Sequence, residues 1–204
     1  MLEQSPGKNE SNRRPLFVLA LSLLLLTISV CLNVVLAYQL RSANQKILRV
    51  SQESRVKTGD LLPDLHARKL DSSAFSHAYL DAKRPTILYV FSPTCLWCEK
   101  NWENIESLNS KIATEYDFVA LSVSEQGLDE LAERRDWTFP IVKEPSTATV
   151  LAYRLGDTPQ TILVSQDGHV IKNWQGAYTG SVKKEVEEYF GLSLPGVSDD
   201  PTPR

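Results

Sequence analysis

The sequence predicts an α/β domain, a central mixed sheet with helices on both faces, carried behind one N-terminal transmembrane helix. Three observations predict it. Residues 86–91 and 117–123 are short, continuous apolar runs, as strands buried on both faces should be. Amphipathic, helix-like stretches separate these runs from further short strands. Finally, residues 15–40 carry no charge at all.

That uncharged stretch organises the first fifth of the chain. Residues 16–37 are almost wholly apolar and would span roughly 33 Å as a helix, enough for a bilayer core. Val35-Leu36-Ala37 could pass as a signal-peptide cleavage site, but the apolar run is longer than a usual signal core. An uncleaved anchor over residues 15–40 is therefore expected, in contact with lipid through residues 16–37, with a cytoplasmic tail over 1–14. Lys8, Arg13 and Arg14 precede it, whereas Arg41, Lys46, Arg49 and Arg55 follow, so charge bias does not set its orientation. A short tail inside and the bulk translocated is the commoner arrangement, and it is the expectation here. Cys31 reads as a small apolar residue of the span.

Residues 41–57 are polar and charged and read as a stalk. The folded domain is expected over 58–191. Thr58-Gly59 is a turn leading to a short edge strand near Leu65, and Lys83-Arg84-Pro85 breaks the chain before the central strand at 86–91. A helix follows to about Glu115, then the strand at 117–123. A helix over 126–136 turns Leu128 and Leu131 inward. A short strand comes at 139–142, and Ser146 caps a helix that buries Val150 and Leu151. Strands at 159–164 and 169–174 flank Gln166-Asp167-Gly168, a hairpin signal. An amphipathic helix over 179–190 stops at Gly191. Residues 192–204, rich in proline, are expected to be disordered.

The chain has 204 residues and a net charge of −3, with no basic stripe, so nucleic acid is excluded as an expected partner. The chemistry is carried by Cys95-Leu96-Trp97-Cys98 at the strand-to-helix turn. The first sulfur sits where unpaired N–H groups and the helix dipole favour a thiolate, so its pKa should fall. The second lies one turn further on the same face, close enough to close a bridge. A metal site would need further ligands. The third cysteine is Cys31, and His66, His77 and His169 have no ligand spacing. Thiol–disulfide exchange without a cofactor or metal is the expectation.

Further motifs carry a resemblance. Gly59-Asp60 with Pro63-Asp64, Phe91-Ser92-Pro93-Thr94-Cys95, Phe139-Pro140, Thr158-Pro159-Gln160-Thr161 and the Asp167-Gly168 turn occur in that order. Over residues 58–191 the chain resembles the thioredoxin-like superfamily, in particular its membrane-tethered TlpA/ResA-type branch. Redoxin-type accessory proteins are a near alternative. The resemblance implies a thioredoxin-like fold and a thiol–disulfide oxidoreductase at a bacterial-type inner membrane. Its domain would face the periplasm, reduce disulfides of extracytoplasmic proteins and be recharged by a membrane thiol donor. It implies a cis bond before Pro159, set against the cysteines, with Thr158 turned outward to pair with an extended substrate. Trp97 would add an apolar grip. The chain departs from that pattern at two places. Tyr89 stands where many thioredoxins keep a buried acid, and Asn101 where several relatives keep a glutamate. A peroxide reductase, or a chaperone or metallochaperone drawing on His169, are the alternative functions.

Overall fold

A computed structural model describes residues 14–53 and 55–197. The expected tail up to residue 13 and the last part of the expected disordered end, 198–204, lie outside the described residues.

The first unit is a single helix, α1 (Arg14–Glu53), of 40 residues. Its segment Leu21–Arg41 has a mean hydropathy of 2.3 and exposed side chains, so by length and composition it can cross a membrane. Two polar side chains inside it turn back on the helix. Thr27 donates to the Leu24 carbonyl at 2.8 Å, and Asn33 to the Ser29 carbonyl at 2.7 Å. The helix runs on through most of the segment read as a stalk, because residues 42–53 hold no glycine or proline to stop it.

The second unit starts earlier than residue 58. Val56 is already core, and its carbonyl accepts from Asn173 Nδ2 at 3.0 Å. The strands are β1 (Leu65–Lys69), β2 (Ala74–His77), β3 (Thr86–Phe91), β4 (Asp117–Ser122), β5 (Ile141–Lys143), β6 (Gln160–Val164) and β7 (Val170–Gln175). They form one sheet in the order β2-β1-β5-β4-β3-β6-β7. The pairs β3–β4 and β4–β5 are parallel; every other pair is antiparallel. The first strand is thus interior and not at the edge, because β2 folds back beside it. This is a second hairpin, at the other end of the sheet. Along the outside of β7 runs the leading segment of the domain. Gly59 N–H donates to the Val170 carbonyl, Val170 N–H to Asp60, and Leu62 N–H to Gly168, all at 2.8–2.9 Å.

The helices are α2 (Leu96–Ile112), α3 (Leu128–Arg134), α4 (Thr147–Ala152) and α5 (Gly180–Phe190). Strand β3 shows how they are assigned to faces. Ile87, Tyr89 and Phe91 pack with Trp102, Ile105 and Leu108 of α2 and Val186 of α5. Leu88 and Val90, which alternate with them, pack on the other face with Leu65, Tyr79 and Tyr153. Trp102 is the centre of the first face, in edge contact with Tyr89 and Phe91 at 5.4 and 4.9 Å and beside Trp137 at 5.2 Å. Each such pair contributes about 0.5–1.5 kcal/mol beyond its buried area. This face anchors α2, and with it the cysteines.

Two readings of helices and ends need correction. Helix α4 is capped by Ser146, whose hydroxyl accepts from Thr149 N–H at 3.1 Å, but it does not bury Val150 and Leu151. Leu151 is 72% exposed; the buried pair, four apart, is Thr149 and Tyr153. Their hydroxyls find acceptors inside, Thr149 on the His66 carbonyl and Tyr153 on the Pro63 carbonyl at 2.6 Å. The chain after α5 is also seated, not loose, as far as residue 197. Leu194 is 4% exposed in the first core, and Gly196 N–H donates to Asn104 Oδ1 at 2.7 Å.

Candidate active site

Helix α2 begins at Cys95, which takes the capping position with extended backbone (φ −83°, ψ 114°). Its Sγ accepts the backbone N–H of Cys98 at 3.3 Å. A sulfur therefore does what a serine or aspartate oxygen does at most helix starts, satisfying one of the orphan amides of the first turn. On its other side the same sulfur lies 3.6 Å from the carbonyl oxygen of Thr158, to which its thiol donates. The Thr158–Pro159 bond is cis, and Pro159 is buried at the head of β6. Cys95 and the Thr158–Pro159 peptide thus face each other at the mouth of the site.

The two thiols differ in surroundings. Cys95 is half-buried, whereas Cys98, one turn inside α2, is 1% exposed. Burial, and then its hydrogen bond to Cys95, push the Cys98 thiol up to about 12.

Trp97, between them, is 52% exposed, with the Lys100 ammonium 5.3 Å over its ring. It forms one wall of a groove of about 260 Å³, completed by Thr158, Pro159, Gln175, Ala177 and Val182. The groove is mostly apolar and opens beside the reactive sulfur, a shape suited to an extended segment on either side of a disulfide.

Arg135, after α3, belongs to no motif in the sequence. It pairs with Glu99 at 3.3 Å and Glu106 at 3.1 Å, and its guanidinium lies 5.5 Å from the Trp102 ring centre. Glu99 is thereby turned to Arg135. Behind Cys98, Asn101 accepts from Asn104 Nδ2 at 3.1 Å and from Tyr178 N–H at 2.9 Å. Tyr178 Oη bonds Thr161 Oγ1 at 2.7 Å. No motif pointed to this polar layer, since asparagine and threonine look unremarkable until packing brings them together.

His169 sits at the β6–β7 turn, the opposite end of β6 from Pro159, and its Nδ1 faces Asp167 at 3.2 Å. The topology does not bring it to the cysteines, and no cluster of three metal-type side chains occurs among the described residues.

A protein family described as the thioredoxin-like domain matches residues 72–190. A thiol-disulfide oxidoreductase, ResA, from Halalkalibacterium halodurans is 25% identical over 148 residues, which cover 71% of this chain and 82% of that protein. Among solved structures, the thioredoxin domain of a thiol-disulfide oxidoreductase from Bacteroides vulgatus aligns with a TM-score of 0.53 at 16% identity, covering 66% of this chain and 98% of that one. StoA from Bacillus subtilis aligns with a TM-score of 0.50 at 18% identity, covering 64% and 98%.

Proposed function

This chain belongs to the thioredoxin-like domain family, and from that premise we propose that it is a membrane-tethered thiol–disulfide oxidoreductase reducing disulfides of extracytoplasmic proteins. The observation that carries the reading is the placement of Cys95 Sγ, between the Cys98 N–H at 3.3 Å and the Thr158 carbonyl at 3.6 Å. A sulfur at a helix start, half-exposed beside an apolar groove, is placed to attack; a buried thiol one turn behind is placed to resolve.

In the first step Cys95, as thiolate, attacks one sulfur of the substrate disulfide. A Cys95–substrate bond forms and the other substrate sulfur departs with the electron pair. Cys98 then attacks Cys95, the mixed disulfide breaks, and the second substrate sulfur leaves as a thiol. The protein is left oxidised at Cys95–Cys98, and a dithiol donor in the membrane returns it to the reduced state. Thr158 and Pro159 hold the substrate backbone, and Trp97 covers its apolar flank. Helix α1 is the tether, and its apolar segment Leu21–Arg41 supports that role by length and composition. The domain faces the periplasm, where protein disulfides form and persist.

Trapping tests the reading. Cys98→Ser should leave substrate proteins covalently held at Cys95 and released by dithiothreitol, while Cys95→Ser should hold none. A protein that traps nothing, and never forms a Cys95–Cys98 bridge in any glutathione buffer, would falsify it.

A further inference from the structure

The Tyr89 hydroxyl, on the core face that also holds Cys98, and the Asn101 side-chain nitrogen have no well-formed hydrogen bond, as is true of the Trp102, Trp137 and Trp174 indole nitrogens. Buried donors are rarely left unused, because each costs about 1–3 kcal/mol when unsatisfied. Asn101 is held firmly. Its carboxamide oxygen takes the Asn104 and Tyr178 N–H groups, so its NH₂ is what it offers elsewhere. Tyr89 is fixed too, its ring packed on Trp102 and stacked with Phe91 on the face that α2 covers. The groups that act on its phenol are the thiols of Cys98 in α2 and Cys95 at its cap, Tyr178 after β7, and the Asn101 side chain, which leans towards it as a weak hydrogen-bond partner; no carboxylate or cation is among them. Burial holds the phenol well above its ordinary range, so it keeps its proton to donate while its oxygen can accept from the Asn101 NH₂.

We propose that the Tyr89 hydroxyl, steadied by the Asn101 NH₂, donates a hydrogen bond to the Cys98 sulfur as that sulfur becomes a thiolate and attacks the mixed disulfide. The inference rests on the oxidoreductase reading and assigns a residue to its second step. Cys98 gives its proton to water, the Cys95–Cys98 bond forms as the Cys95–substrate bond breaks, and the departing substrate sulfur carries off the electron pair and takes a proton back from water. Tyr89 gains and loses nothing. It places one donor where negative charge develops in a dry site, which is where such a donor counts most. In the resting thiol state the hydroxyl has no such partner, in keeping with its unsatisfied position.

The test is single-turnover kinetics on the full chain in detergent, with oxidised glutathione as the probe and acid-quenched mass spectrometry reading the Cys95–glutathione adduct. In Tyr89→Phe the adduct should form at the wild-type rate and resolve about tenfold more slowly, the loss expected of one charge-assisted hydrogen bond. The rise of the resolution rate with pH should shift to higher pH. Heat stability should hold or increase, since an unsatisfied hydroxyl is removed. Tyr79→Phe, a hydroxyl lost on the opposite face of the sheet, should resolve normally. Placing 3,5-difluorotyrosine at position 89 alone, a stronger donor of nearly the same shape, should speed resolution. Wild-type resolution in Tyr89→Phe, equal slowing in Tyr79→Phe, or no gain with the fluorinated side chain overturns the inference while leaving the oxidoreductase reading intact. Failure of Cys98→Ser to form any adduct overturns both.

Discussion

The sulfur of Cys95 touches the carbonyl oxygen of Thr158, 3.6 Å away and 63 positions later in the chain. One atom thus joins the start of α2 to the lead-in of β6. On the other side it receives the Cys98 N–H, so capping the helix and presenting the nucleophile are the same geometry.

Cys95→Ser should therefore lose the redox couple but keep the fold. Serine is among the preferred capping residues, and the hydroxyl can take the same N–H. Denaturant unfolding should place the variant within about 1 kcal/mol of the reduced wild type, while titration in glutathione buffers shows no two-electron transition.

The Cys98 thiol sets a pH dependence. Pushed up to about 12, it carries its proton throughout the neutral range, so each reduction takes up at least that proton. The midpoint potential should become more negative by at least about 30 mV per pH unit between pH 6 and 8, half the one-electron slope. Stability follows the same sign. The folded value lies above the ordinary thiol value of 9.0, so the contribution is complete below about pH 9 and is lost as pH rises towards 12. Unfolding of the reduced protein at stepped pH should show that loss, and Cys98→Ser should lack this part of it.

Trp97→Ala should separate large substrates from small ones. The exposed ring walls the groove without touching the core. Removing it should lower kcat/KM about tenfold for a disulfide-containing protein, the usual cost of losing an aromatic anchor at an interface. For oxidised glutathione, which does not fill the groove, the change should stay under about twofold.

Leu194→Ala should destabilise the domain by about 2–3 kcal/mol, measured by urea unfolding, because a buried leucine leaves a cavity. A change near zero would mean that the segment after α5 is not part of the folded unit.

What could be read in the residues and what could not divide along burial. Strands β3 and β4 are continuous apolar runs, β6 is marked by the hairpin turn that follows it, and the Cys95-to-Cys98 spacing with Thr158-Pro159 marks both sides of the site. Strand β2, Ala-Phe-Ser-His, is half-exposed and polar, so its pattern resembles a loop until it pairs with β1. In α4 the greasier residues face outward, because Thr149 and Tyr153 supply hydroxyls that the interior can satisfy. Tyr89 could be seen to stand at an unusual place; its unsatisfied hydroxyl, and the Asn101 nitrogen near it, exist only in three dimensions.

Residues 56–62, laid along the outside of β7, have a consequence for how the molecule behaves in company. An open strand edge invites another copy to zip onto it, and a flat β7 would be such an edge. Here the chain covers the first part of that edge, with Gly59 and Asp60 on Val170, Leu62 on Gly168 and the Asn173 amide on Val56. At the far side β2 is the open strand, four residues long and half of them polar, a poor template for growth. A neighbour's strand would therefore find the start of β7 already taken by this chain's own backbone.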